Sequence, residues 1–264
     1  MSDDPGQPLS LPLGVVSPTS SFTSVLSSQG LLPSWDLGDG TIDAAEATTV
    51  LSLRYTEGVV MIGDRQATAG NIVAHRRVQK VYPADSFSAV AISGTAGIAI
   101  ELTRLFQTEL EHYEKLEGSR LSLEGKSNYL ARMVRQQLPL AMQGLVVVPI
   151  FAGYDTDEGV GRLYSFDVVG GRYEEQDFAA TGSGSMEAAS HLRANFAEGL
   201  DEEGALDLGI RALVAAAEED TATGGPDLRR GIYPTVVTMT ADGFAEIDEE
   251  RVAGLSAAAL EGAR

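Results

Sequence analysis

The 264-residue sequence contains no cysteine, which excludes a disulfide framework, thiol catalysis and thiolate metal sites together. Histidine is nearly absent: His75, His112 and His191 are scattered without ligand spacing, so neither a metal nor any other cofactor is expected. Basic residues are outnumbered, 19 against 38 acids, for a net charge of −19. A surface of that sign repels phosphates, and nucleic acid is not an expected partner. Long apolar runs are missing too. The longest, residues 145–152, is strand-sized and interrupted by Pro149, far short of the roughly 20 residues of a membrane span.

The first 47 residues lack Lys and Arg altogether while holding six acids, Asp3, Asp4, Asp36, Asp39, Asp43 and Glu46. A secretory signal needs a basic start and an apolar centre, and a mitochondrial transit peptide needs arginine, so the segment reads as neither. Rich in Pro, Gly and Ser, it cannot bury enough apolar surface to fold by itself. Within it, "SFTSVLSSQGLLP" spaces Phe22, Val25, Leu26 and Leu31 or Leu32 at roughly helical intervals. Two readings fit that island equally: chance amphipathicity in a disordered tail, or a short recognition helix that docks on a folded body.

From Thr48 onward the texture changes. "TTVLSLRY" and "VVMIGDR" read as strands joined at Thr56-Glu57-Gly58. A hairpin centred on Glu57 sets Asp64 opposite Val50, and two-residue alternation then puts Asp64 on the same face as Thr48. "VQKVY" and "FSAVAISG" form a second pair around "PADS". Helical spacing of apolar residues marks Ile98–Leu116 and Asn128–Leu138. Strands return in "LVVVPIFAGYD", "GRLYSFDVVGG" and "GRYEEQDFAATG", then helices in "MEAASHLRANFAEGL" and "EEGALDLGIRALVAAAEED". Two last strands, "TVVTMTADG" and "FAEID", precede a short Ala-rich end. The order sheet, two helices, sheet, two helices, sheet predicts an α+β fold, a four-layer αββα sandwich with two antiparallel sheets between helix layers. No linker interrupts residues 48–264, which read as one domain.

Without cysteine, and without Ser, His and Asp at triad spacing, a nucleophile must come from elsewhere. A threonine at a new N-terminus is one solution, because its own α-amine, with an ordinary pKa of about 7.7–8.0, serves as the base. That base exists only after the residues before Thr48 are removed, and a leader ending at a strand-initial Thr meets the requirement. A Thr-Thr strand start is by itself uninformative, since β-branched residues favour strands. Asp64 and Lys80 alone read as ordinary surface charges. Gly94 could merely end a strand, and "TGSGS" could be a turn before a helix. Asp220, at the end of an expected helix, opposes the helix dipole and so calls for a separate reason.

As a set, "GDRQATAGN" with Asp64 and Thr68, "VQKVY" with Lys80, "SGTAG" with Gly94, "TGSGS" with Ser183, and "DTATGG" with Asp220 and Thr223 resemble proteasome β subunits, those of actinobacteria most closely. The resemblance extends through "ELEHYEKLEG", "AMQGL", "AGYD" and "ATGGPDLRRGIYPT" over residues 48–264, and the leader resembles that group's propeptides. It implies the N-terminal nucleophile hydrolase fold, a propeptide at 1–47 and a catalytic domain at 48–264. The implied nucleophile is Thr48, with Lys80 favouring its alkoxide and Asp64 holding Lys80. Gly94 supplies an N–H to the oxyanion, and Ser183, Asp220 and Thr223 bind the terminal amine and its water. Substrate-binding positions fall on Ala67, Thr68, Val78, Ile92, Ala96 and Ile100. The apolar ones among them imply cleavage after large apolar residues.

The resemblance further implies a threonine endopeptidase in the cytoplasm, built as a β ring flanked by α-subunit rings. A ring ATPase would feed it unfolded proteins, pupylated in many actinobacteria. At the processing site between Ala47 and Thr48, the family's usual glycine is replaced by alanine, which is strained wherever the turn needs φ > 0. Thr223 stands where the family often has Ser and keeps the hydroxyl. Three alternatives remain: an HslV-type peptidase, which shares the Thr-Thr start but is shorter; a non-catalytic ring subunit; and an N-terminal-nucleophile amidohydrolase.

Overall fold

The computed structural model describes residues 48–69 and 72–262. The expected propeptide, its Phe22–Pro33 island and Ala47 lie outside the described residues. Along the chain run β1 (Thr49–Tyr55), β2 (Gly58–Gly63), β3 (Ala67–Ala69), β4 (Ile72–His75), β5 (Val81–Asp85) and β6 (Ser88–Gly94). Then come α1 (Ala96–Glu117), α2 (Leu123–Gln136), α3 (Leu138–Ala141), β7 (Val147–Asp155), β8 (Val160–Phe166), β9 (Arg172–Glu175) and β10 (Phe178–Gly182). The chain continues with α4 (Ser185–Asn195), α5 (Glu202–Glu219), β11 (Thr235–Thr240), β12 (Gly243–Glu246) and α6 (Glu249–Gly262).

Among the described residues two five-stranded sheets form, in the orders β10-β1-β2-β11-β12 and β5-β6-β7-β8-β9, with β3 and β4 as a separate hairpin. Every strand pair is antiparallel. Three apolar cores make four layers of them. Val50, Val59 and Met61 of the first sheet meet Val81, Ala91 and Ile150 of the second between the sheets. Leu51, Leu53, Val60 and Ile62 face the other way, onto Leu192 of α4, Leu206 and Leu213 of α5 and Val252 of α6. Val90, Phe151 and Tyr164 of the second sheet pack on Leu102 and Phe106 of α1 and Leu130 of α2. Both faces of each sheet are covered, so the central strands read as continuous apolar runs. This is the αββα sandwich that the element order predicts. Among the described residues, no helix is long and apolar enough to cross a membrane.

Two helices, α2 and α5, open on side-chain caps. The Ser122 hydroxyl accepts the Gly125 N–H at 3.1 Å and opens α2, while the Asp201 carboxylate accepts the Gly204 N–H at 2.9 Å and opens α5. Pro149 is accommodated because β8 pairs with β7 only from Ile150 onward, which leaves the imide nitrogen no ladder partner to miss.

Four details differ from the sequence reading. The β1–β2 turn is the residue pair Thr56–Glu57, with Tyr55 opposite Gly58. The register therefore shifts by one: Val50 pairs with Gly63, and Asp64 falls beside Thr49. "GRYEEQDFAATG" is two strands, β9 in one sheet and β10 in the other, with the crossing at Gln176–Asp177. There Arg54 holds the chain, its N–H donating to the Asp177 carbonyl at 2.8 Å and its guanidinium to the Gln176 carbonyl at 3.1 Å. The short hairpin β3–β4 occupies residues that the sequence reading leaves unassigned. The Ala-rich end is a 14-residue helix, α6, whose Val252 and Ala259 are buried against α5.

Candidate active site

Thr48 is buried immediately before β1, and its carbonyl accepts the Ser183 N–H at 3.0 Å. That contact depends on Gly182, the last residue of β10, at φ +109°, where a Cβ would collide with the Thr48 carbonyl oxygen. Thr48 lines a cavity between the ends of the two sheets, and so do Lys80 and Gly94.

Lys80 enters from the segment just before β5 and is buried. Its ammonium donates to Asp64 Oδ1 at 2.6 Å and to the Gln66 carbonyl. Asp64, fully buried, also accepts the N–H groups of Thr49 at 2.8 Å, Gln66 at 3.0 Å and Gly224 at 2.9 Å. The one-residue register shift means that face alternation does not bring Asp64 to this place. β2 ends at Gly63, and the chain leaves the ladder with the carboxylate turned back toward Thr49. Burial pushes the Asp64 carboxyl up and the Lys80 ammonium down, while their mutual contact opposes both shifts. A lysine loosened by burial and held by a carboxylate suits a group that assists proton transfer.

Asp220 closes α5. Burial would raise its carboxyl, yet hydrogen bonds from the Ser183 and Thr223 hydroxyls and the Ala222 N–H hold it below the ordinary range. The Thr223 hydroxyl lies 2.6 Å away. These bonds are the separate reason for an acid at the C-terminal end of a helix. Ser183, Asp220 and Thr223 thus form one cluster, tied to Asp64 through the Gly224 N–H.

Of the expected substrate-binding residues, Ala67, Val78, Ile92, Ala96 and Ile100 all line the cavity that Thr48 faces. Thr68 is buried beside them in β3 but is not part of that lining, and the β3–β4 register is irregular between Ala67 and Thr68. Gly94 has φ +106°, and a Cβ there would strike the Val146 carbonyl oxygen, so its identity has a backbone reason as well.

Sequence reasoning missed several participants. Ala99 completes the α1 stripe with Ala96 and Ile100, and helical spacing could have found it. Gln79 and Tyr82 also line the cavity, the Tyr82 hydroxyl donating to the Gln79 carbonyl at 2.6 Å. The Gln66 amide donates to the Thr221 carbonyl at 3.0 Å, bridging the Asp64 and Asp220 segments. Thr49, which the sequence offers only as a strand residue, contacts both clusters. Among the described residues, no group of His, Asp or Glu is arranged to hold a metal ion.

A family model described as proteasome subunit matches residues 44–227. The chain belongs to the proteasome subunit family. The matched span contains Thr48, Asp64, Lys80, Gly94, Ser183, Asp220 and Thr223. Similar curated proteins carry the name proteasome subunit beta. That of Acidimicrobium ferrooxidans is 54% identical over 217 residues, covering 81% of this chain and 80% of its own. That of Streptomyces griseus is 49% identical over 257 residues, 95% of this chain and 92% of its own. That of Stackebrandtia nassauensis is 52% identical over 233 residues, 87% and 82%. The family thus accounts for the β-type core with its two helix layers, and the Streptomyces griseus similarity extends into residues 1–47.

Proposed function

We propose that this chain is the proteolytic β subunit of a bacterial proteasome core, a threonine endopeptidase made as a precursor. The observation that carries this reading is that Thr48 and a buried, Asp64-bound Lys80 line one cavity. Removal of residues 1–47 frees the Thr48 α-amine, which then takes the proton of the Thr48 hydroxyl as that oxygen attacks a peptide carbonyl. Lys80 stabilises the developing alkoxide, and the Gly94 N–H meets the tetrahedral oxyanion. Ser183, Asp220 and Thr223 orient the amine. The C–N bond breaks as the amine passes its proton to the leaving nitrogen, leaving an ester on Thr48. Water, deprotonated by the same amine, attacks that ester, and the hydroxyl of Thr48 is restored.

The cavity beside Thr48 supports a preference for large apolar residues before the cut. Its five apolar walls offer Arg or Asp no partner, and Lys80, also in the lining, is bound to Asp64, whereas a Leu or Tyr gains roughly 1.5–3 kcal/mol by leaving water. Partners on this reading are further β subunits in a ring, α-subunit rings, a ring ATPase and cytoplasmic protein substrates.

The decisive test is intact mass and peptidase activity of the particle assembled with α subunits. The native chain is expected to begin at Thr48. Thr48→Ala should retain residues 1–47 and lose turnover, and full activity in either the precursor or this variant would refute the mechanism. Peptides differing only at the residue before the cut should rank Leu and Tyr above Arg and Asp in kcat/KM. The reverse ranking would move the pocket elsewhere.

A further inference from the structure

Strand alternation turns Thr49 away from the cavity, onto the helix-covered side of the first sheet. There its hydroxyl, fully buried, accepts the Gly184 N–H at 2.9 Å and lies 2.6 Å from the Thr223 hydroxyl. The direction of the second bond follows from charge. Asp220 is an ionised acceptor, so the single Thr223 proton goes to it, and Thr49 must donate to Thr223. A directed chain results, from Gly184 N–H to Thr49 to Thr223 to Asp220. The Thr49 backbone N–H meanwhile donates to Asp64. Packing is built around this hydroxyl pair, since a Cβ on Gly184 would lie 2.6 Å from the Thr223 hydroxyl and 3.0 Å from that of Thr49.

We propose that Thr49 is a positioning residue of the peptidase reaction, its hydroxyl locking the Ser183–Gly184 and Asp220–Thr223 loops onto the strand that presents Thr48. The inference rests on the proposed function above. Thr49 touches no reacting atom; it sets where Ser183 and Asp220 stand relative to the Thr48 amine.

The test compares Thr49→Val, nearly isosteric but without the hydroxyl, with Thr49→Ser, which keeps it, in the full chain assembled with α subunits. Thr49→Val should lower kcat about 10–100-fold, the scale of an ångström-sized misplacement, with KM within about twofold. Loss of residues 1–47 should slow in parallel. Thr49→Ser should restore kcat to within about threefold of the parent, as both hydrogen bonds of the hydroxyl are kept. Unchanged kcat in Thr49→Val, equal loss in both variants, or a rise in KM alone would overturn the proposal. If Thr49→Val does not assemble, Thr49→Ala removes the same hydroxyl without adding bulk and is read by the same split. Thr48→Ala runs beside them: its turnover would overturn the peptidase reading itself, whereas an inert Thr48→Ala beside a fully active Thr49→Val would overturn only the role of Thr49.

Discussion

Among the described residues two lysine–aspartate pairs are buried, Lys80–Asp64 at 2.6 Å and Lys126–Asp85 at 2.5 Å. Their side chains are 3% and 0% exposed in the first pair, 6% and 14% in the second. Both acids are also held by further donors. Asp64 has three backbone N–H groups, and Asp85 has the Ser88 hydroxyl at 2.6 Å and the Phe87 N–H at 3.0 Å. For Asp85, burial would raise the carboxyl, but Lys126 and those hydrogen bonds win and hold it below the usual range. For Asp64 burial wins. The surroundings differ more than the pairs do. Lys126 rises from α2 and pins that helix to the β5–β6 turn, whereas Lys80 lines a cavity with a threonine hydroxyl. The Lys126–Asp85 pair thus fastens two elements together, and on the proposed function the Lys80–Asp64 pair serves chemistry because it shares a cavity with Thr48.

The comparison breaks first, if at all, at the lysines. Lys80→Ala should cut kcat about 1,000-fold or more while particles still assemble. Lys126→Ala should leave kcat per assembled site within about twofold, yet cost roughly 3–5 kcal/mol of stability in denaturant unfolding by stranding Asp85. An inactive but stable Lys126→Ala particle would erase the distinction. A smaller effect sharpens it. Gln66→Ala removes the amide that joins the Asp64 and Asp220 segments but keeps the backbone groups that hold Lys80. It should lower kcat by about 3–10-fold, the worth of one net hydrogen bond, in steady-state peptide assays. The smallest effect concerns pH. Because the Asp85 carboxyl is depressed in the folded state, its stabilisation is fully present above the ordinary Asp value of about 4 and is lost as pH falls through the depressed one. Unfolding midpoints from pH 6 downward should therefore fall less steeply in Asp85→Asn than in the parent, and parallel slopes would show that Asp85 does not carry this acid sensitivity.

Both pairs expose a limit of reading residues in a line. Lys80 stands out because "VQKVY" sits in a family pattern, whereas Lys126, also buried, has nothing in "LEGKSNYL" to distinguish it from a surface lysine. Burial of a charge is a tertiary event. The register slip at β1–β2 has a related cause: β2 is GVVMIG, apolar on both faces and buried throughout, so it contains no polar alternation to fix its pairing with β1. The sheet change at Gln176–Asp177 was invisible for the same reason, since strand propensity does not say which partner a strand will meet.

Composition and motif order, taken alone, determined the class of this protein: a compositional break before Thr48, two blocks of strands and helices, and a set of chemical residues in family order. These survive because apolar periodicity and turn residues act locally and each element must bury its own face. Only the tertiary structure decided the geometry of the site. It set Asp64 beside Thr49 rather than Val50, gathered five apolar residues from β3, the β4–β5 connection, β6 and α1 around Thr48, and made Thr49 the link between two loops. Such contacts join residues as far apart as Thr49 and Thr223. Their formation rests on how two twisted sheets and their helix layers close over one another, a condition that no single segment encodes.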